Sequence, residues 1–133
     1  LHEWALAEAI ISGVNDYVNK IGRKEVGKVV VRLGELQSID KEILRFALNE
    51  LVKDSAVKID EIVLKDEEAV FRCRKCGHEW RLKDVEFSEE VKEAIHFVPE
   101  VVHTYMKCPG CQSTDFEVVK GRGVWIESIE VIN

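Results

Sequence analysis

Every cysteine of this 133-residue chain falls in one of two Cys-x-x-Cys pairs, Cys73-Arg74-Lys75-Cys76 and Cys108-Pro109-Gly110-Cys111. Each pair can aim two thiolates at one point, and two pairs make the tetrahedral sulfur cage that Zn2+ favours. Gly77 after the first pair, and Pro109-Gly110 inside the second, suit tight turns that point backbone N–H groups at metal-bound sulfur. Four thiolates leave no open coordination position, so the expected site is closed and structural. Two other chemistries use the same residues: a pair of disulfides in a secreted domain, and a rubredoxin-like iron centre. The pairs are separated by 31 residues, more than in a compact zinc ribbon, so the site is expected to staple a lobe.

The amino terminus is the second constellation. Leu1-His2-Glu3-Trp4 offers the α-amine, the His2 amide and the His2 imidazole. These nitrogens close fused five- and six-membered chelate rings in one plane once the amide loses its proton. Ni2+ and Cu2+ accept such in-plane nitrogen donors, whereas Zn2+ prefers a tetrahedron. The plain alternative is that His2 begins a helix with its side chain in water. Glu3 divides similarly: it can lie beside a metal or a partner, or serve as an ordinary acid in a first helical turn. His78, His96 and His103 compete for a fourth position in the plane. His78 is expected as an exposed turn residue, and His103 as a satisfied polar residue on a strand. His96, between Ile95 and Phe97 beside the Pro99 break, is either a ligand or a packing residue.

Composition narrows the field. A formal charge of −6 and a pI near 5.3 argue against a nucleic-acid surface. No apolar run approaches the roughly 18 residues of a membrane span, and residues 1–20 carry acids rather than the basic start of a leader. A cytoplasmic protein is expected, consistent with thiols reserved for metal. Gly34-Glu35-Leu36 follows a strand as a phosphate loop would, but one glycine cannot cradle a nucleotide. With no nucleophile-elbow context either, the chain is not expected to be an enzyme.

The elements that must position these groups follow from periodicity. Leu6, Ile10, Val14, Tyr17 and Ile21 form an apolar stripe that predicts a helix over 3–20, stopped near Gly22. Residues 28–33 read as a strand closed by Gly34. Ser38 and Asp40 are candidate caps of a second helix with Ile43, Phe46, Ala47 and Leu51 on its apolar face. Strands are predicted over 57–65 and 68–72 around an Asp66-Glu67 turn, the second delivering Cys73 to the metal. Trp80 and Leu82 suggest a short strand, and 88–95 a short helix capped by Ser88. After Phe116 and Val118, the segment from Val124 to Val131 is expected to rejoin the amino-terminal sheet. That return makes the cysteine lobe an insertion in an α/β domain.

With LHEWALAEAI at the start, VVVRLGEL after the first helix and CRKCGHEW…CPGC later, the chain closely resembles the HypA/HybF hydrogenase-maturation nickel metallochaperones. The resemblance runs end to end, and the insert with IHFVPEVVH resembles archaeal members in particular. It implies an α+β protein: a small α/β nickel-binding domain of two helices on a three-stranded sheet, with an inserted zinc-ribbon-like domain. The expected boundaries are 1–70 plus 115–133 for the nickel-binding domain and 71–114 for the zinc-binding domain. Carried over, nickel (Ni2+, a transient cargo) falls to His2 with the backbone at positions 1 to 3, Glu3 included, and to His96 as the best second ligand. Structural Zn2+ falls to Cys73, Cys76, Cys108 and Cys111. The implied partners are a HypB-type NTPase and the [NiFe]-hydrogenase large subunit, with no nucleic acid and no membrane. The family starts with Met where this chain has Leu1; a non-ATG start codon translated literally is expected to account for it. The competing function is a zinc-ribbon interaction adaptor without a nickel role.

Overall fold

The helix and strand periodicities resolve into two separate three-stranded sheets, ordered β2-β1-β6 and β4-β3-β5. The computed structural model describes residues 3–132, so the chelate candidates Leu1 and His2 lie outside the described residues, as does Asn133. In chain order the elements are α1 (Glu3–Lys20), β1 (Glu25–Gly34), α2 (Lys41–Lys53), β2 (Lys58–Glu67), β3 (Val70–Cys73), β4 (Glu79–Arg81), α3 (Glu89–Phe97), α4 (Val102–Tyr105), β5 (Phe116–Lys120) and β6 (Val124–Val131). Short 3-10 turns occupy Glu35–Gln37, Leu82–Asp84 and Pro99–Val101. The chain forms two compact units: Leu1–Arg32 with Ile39–Lys65 and Trp125–Asn133, and Leu33–Ser38 with Asp66–Val124.

In the first unit α1 ends where the sequence predicts. Gly22 sits at φ +71°, the Arg23 N–H donates to the Val18 carbonyl at 2.9 Å, and the Gly22 N–H donates to the Asn19 carbonyl at 3.2 Å. These paired bonds satisfy carbonyls that the helix leaves open at its end. The buried face is Ala7, Ile10, Ile11, Val14 and Val18; the predicted stripe holds at Ile10 and Val14 but not at Tyr17 and Ile21, which are 46% and 42% exposed. At 3.6 residues per turn, the step from Val14 that stays under the face is four, to Val18. The second helix shows the same drift. Leu44, Ala47 and Leu48 are buried, whereas Phe46 is exposed and its ring meets the edge of Trp4 at 6.1 Å. Asp40, rather than Ser38, caps α2, its carboxylate accepting from the Glu42 and Ile43 N–H groups. Glu3 ties the two helices at their starts, its carboxylate accepting the Asp40 N–H at 3.1 Å.

In the second unit β3 is the central strand, with Phe71 opposite Trp80 on β4 and Val118 on β5. The Phe71 and Phe116 rings meet edge to face at 5.6 Å, and Trp80 and Phe116 at 5.4 Å. Leu36, Ile95, Val102 and Met106 complete this core, and the buried Trp80 indole N–H donates to the Met106 sulfur at 3.3 Å. The turn predicted at Asp66-Glu67 is instead strand: β2 runs through Glu67, and the break falls at Glu68-Ala69 as the chain changes sheets. The Glu35 carboxylate accepts the Ala69 N–H there at 2.9 Å. The junctions expected near residues 70 and 114 therefore lie at 65/66 and 124/125, and 33–38 joins the second unit. Pairing of β5 with β3, and Leu36 at 1% exposure in the aromatic core, account for the shift.

A glycine crossing locks this part of the second unit. The Gly34 N–H donates to Gly123 and the Leu36 N–H to Gly121, at 2.8 and 3.0 Å. Gly121 has φ +93°, and a Cβ on it would stand 2.3 Å from the Ala69 Cα. Since the obstacle is backbone, it cannot swing aside. Adding the left-handed penalty to the overpacking cost, Gly121→Ala is expected to destabilise the second unit by about 2–5 kcal/mol. Denaturant unfolding followed by Trp80 fluorescence would measure it.

Candidate metal centre

Strand pairing places the first thiol, because Cys73 is the last residue of β3 and lies opposite Phe116 on β5. Two turns of the same design then bring in the rest. In the first, the Cys73 N–H donates to the His78 carbonyl at 2.8 Å and the Gly77 N–H to the Cys73 carbonyl at 3.0 Å. In the second, the Cys108 N–H donates to Ser113 and the Gln112 N–H to Cys108, both at 2.9 Å. The spacing is identical, and the residue after each closing cysteine is left-handed: Gly77 at φ +78° and Gln112 at φ +66°. Glycine adopts that conformation freely; glutamine pays for it. A Cβ at Gly77 meets nothing within 4 Å, so only the backbone term distinguishes the two sites. Gly77→Ala is expected to cost about 1 kcal/mol and Gln112→Gly to gain about 0.5 kcal/mol. Thermal midpoints of the two variants should move in opposite directions.

The four Sγ atoms all lie within 4.8 Å of one another, with Cys73–Cys111 at 3.5 Å and Cys76–Cys108 at 3.6 Å. A disulfide requires about 2.05 Å, and all four cysteines are free. Sulfurs around a tetrahedral metal at about 2.3 Å stand roughly 3.8 Å apart. The donor set thus fits a single metal ion and does not fit two disulfides. Cys73 and Cys108 are buried in the aromatic core, while Cys76 is exposed. The Lys75 and Cys76 N–H groups both point at the Cys73 sulfur at 3.4 Å, as the turn residues predicted.

Without a metal, Cys73 and Cys76 are unequal. The Cys76 N–H, helped by that of Lys75 and the neighbouring thiols and opposed by burial, draws Cys73 down to about 6. Cys76 behaves oppositely: the His78 N–H favours its thiolate, but burial and the three surrounding thiols push it up to about 12. One corner of the cage favours charge and another resists it. A dication resolves the conflict by taking the place of the protons. Around the cage Arg74 clamps the first turn to β5, reaching the Asp115 carboxylate at 2.9 Å and the Phe116 carbonyl at 3.1 Å. Arg72 spans the sheet between Glu79 and Glu117.

The described histidines are deployed elsewhere. His78 is not in the sulfur cluster; its ring stacks over Trp80 at 6.0 Å. His103 lies on the short helix α4 rather than on the predicted strand, and its ring stacks on Phe116 at 4.4 Å. His96 lies near the end of α3, with Nδ1 2.7 Å from the Gln37 carbonyl oxygen. Glu3 belongs to the first unit and His96 to the second. Sequence reasoning missed Gln37, whose contribution is a backbone atom that no residue type reveals. It also missed Gln112, although aligning the two cysteine pairs puts it opposite Gly77.

Two helices with a three-stranded sheet, joined to a lobe built on four convergent cysteines, define a small two-unit metal-binding protein. A family model described as hydrogenase/urease nickel incorporation, metallochaperone, hypA matches residues 1–131. The chain is 51% identical to hydrogenase maturation factor HypA of Pyrococcus furiosus, covering 98% of this chain and 96% of that protein. It is 34% identical to the factor of the same name from Ignicoccus hospitalis, at the same coverage. The fold is shared with the solution structure of the Ni metallochaperone HypA from Helicobacter pylori, with a TM-score of 0.64 at 20% identity over 99% of this chain and 98% of that one. The chain belongs to the HypA family. Among the described residues, no helix is long and apolar enough to cross a membrane.

Proposed function

We propose that this chain binds Ni2+ at its amino terminus and delivers it for [NiFe]-hydrogenase maturation, without catalysing a reaction itself. The observation that carries this reading is the match of residues 1–131 to a family of nickel-incorporation metallochaperones. His2 would bind nickel through its imidazole and amide together with the terminal amine, and His96 would supply a further nitrogen. The Glu3 carboxylate is engaged by the Asp40 N–H, which favours a contribution of Glu3 through its backbone only. Zn2+ would occupy Cys73, Cys76, Cys108 and Cys111 as a structural ion, since four thiolates complete its shell and leave no place for cargo. A nitrogen-rich site for nickel and a sulfur-only site for zinc keep the two ions apart by ligand type.

Lacking a phosphate loop of its own, the chain would rely on a HypB-type NTPase to drive transfer. The acceptor would be the hydrogenase large subunit, reached directly or through other maturation factors in the cytoplasm. The test is a transfer assay with nickel-loaded protein, the NTPase and metal-free large subunit. Hydrogenase activity should appear with the wild type and fail with His2→Ala. Equal activation by both proteins would contradict the proposal and favour an adaptor role.

A further inference from the structure

His96 is held from both sides by one core. Ile95, the preceding residue on α3, is 4% exposed, and Leu36, the neighbour of Gln37, is 1% exposed; both belong to the same aromatic-centred cluster. The Ser88 hydroxyl caps α3 by accepting the Val91 N–H at 3.2 Å. On the other side, the 3-10 turn is closed by the Ser38 N–H donating to Glu35 at 3.1 Å, with Ser38 left-handed at φ 48°. The Gln37 carbonyl and the His96 ring are therefore brought to 2.7 Å by backbone that is fixed independently of either group.

A carbonyl oxygen can only accept. The hydrogen in this bond must come from Nδ1, and in a neutral imidazole the lone pair then resides on Nε2. Among the described residues the ring makes no other hydrogen bond. We infer that the Gln37 carbonyl is a positioning group for His96: it holds the Nδ1–H form of the ring and makes Nε2 the nitrogen that donates to nickel. The donor assignment rests on the proposed role of His96 as a nickel ligand. Metal-binding histidines commonly donate their second ring N–H to a backbone carbonyl, which fixes the ring and strengthens the metal-facing nitrogen. Here that carbonyl belongs to the connection between β1 and α2, so a segment distant in sequence sets the donor atom of the insert.

Two measurements on the full-length, zinc-loaded protein test this. Long-range proton–nitrogen correlation spectra of the nickel-free protein should show His96 protonated at Nδ1. A ring protonated at Nε2, or an even mixture of the two forms, would overturn the inference. Histidine methylated at one nitrogen, incorporated at position 96, separates the two roles. Methylation of Nε2 should remove the same nickel charge-transfer bands as His96→Ala. Methylation of Nδ1 should keep those bands while lowering nickel affinity by about 10- to 100-fold, the usual cost of losing such a supporting bond. The reverse pattern would overturn the donor assignment. If His96→Ala leaves nickel binding unchanged, the ligand reading fails and the donor assignment with it; the correlation spectrum then still decides whether the carbonyl holds the ring.

Discussion

Removing metal from the four-cysteine cluster is expected to unfold the second unit while leaving the helices of the first in place. Cys73 and Cys108 are 1% and 0% exposed and pack with Phe71, Trp80 and Phe116. Without an ion, the cage brings together a Cys73 that favours ionisation and a Cys76 that resists it. Structural zinc contributes about 10–16 kcal/mol of apparent binding energy in small modules, and that energy is also folding energy. A lobe of this size has little to replace it. The first unit has its own core on α1, β1 and α2, including Val14, Val18, Val29, Val31 and Leu44. The tryptophans report on the units separately, Trp80 in the second and Trp4 and Trp125 in the first. Chelation, or Cys108→Ser, should abolish the near-ultraviolet signal of Trp80 and leave most helical circular dichroism. Loss of both signals in one transition would show that the first unit does not stand alone.

Residues added before Leu1 are expected to weaken nickel binding by more than about 100-fold, beyond the cost of losing a mere supporting contact, with zinc content unchanged. The proposed chelate needs the amine directly before His2, and any added residue converts that amine to an amide and moves the charge-bearing nitrogen out of the ring. The residue 1 side chain takes no part, so Leu1→Met should change nothing. Calorimetric nickel titration of free-amine and extended forms would show the difference; equal affinities would sink the chelate.

Legibility in the sequence divides along physical lines. The cysteine cluster was readable because two short-range spacings dictate it and only convergence in space had to be supplied by the fold. The ends of α1 and the caps of α2 and α3 were readable because they depend on local backbone chemistry at Gly22, Asp40 and Ser88. The buried faces were less so: Tyr17, Ile21, Ile43 and Phe46 are apolar and fit a helical repeat, but the core takes Val18, Leu44 and Leu48 instead. Choosing between adjacent apolar stripes requires knowing what packs against them. Membership of residues 33–38 in the second unit was hidden for a different reason. Gly34-Glu35-Leu36 reads as a loop after a strand closed by Gly34, and the contacts that hold the segment in the second unit run through the Glu35 carboxylate and the carbonyls of Gln37, Gly121 and Gly123. Backbone acceptors leave no mark in composition.

The measurement closest to the central claim is nickel titration of protein with a free amine at residue 1, wild type against His2→Ala, with zinc determined in both. The account expects about one zinc per chain in each, the capacity of one four-thiolate cage, with nickel bound by the wild type and lost in the variant. Undiminished nickel binding by His2→Ala would contradict it.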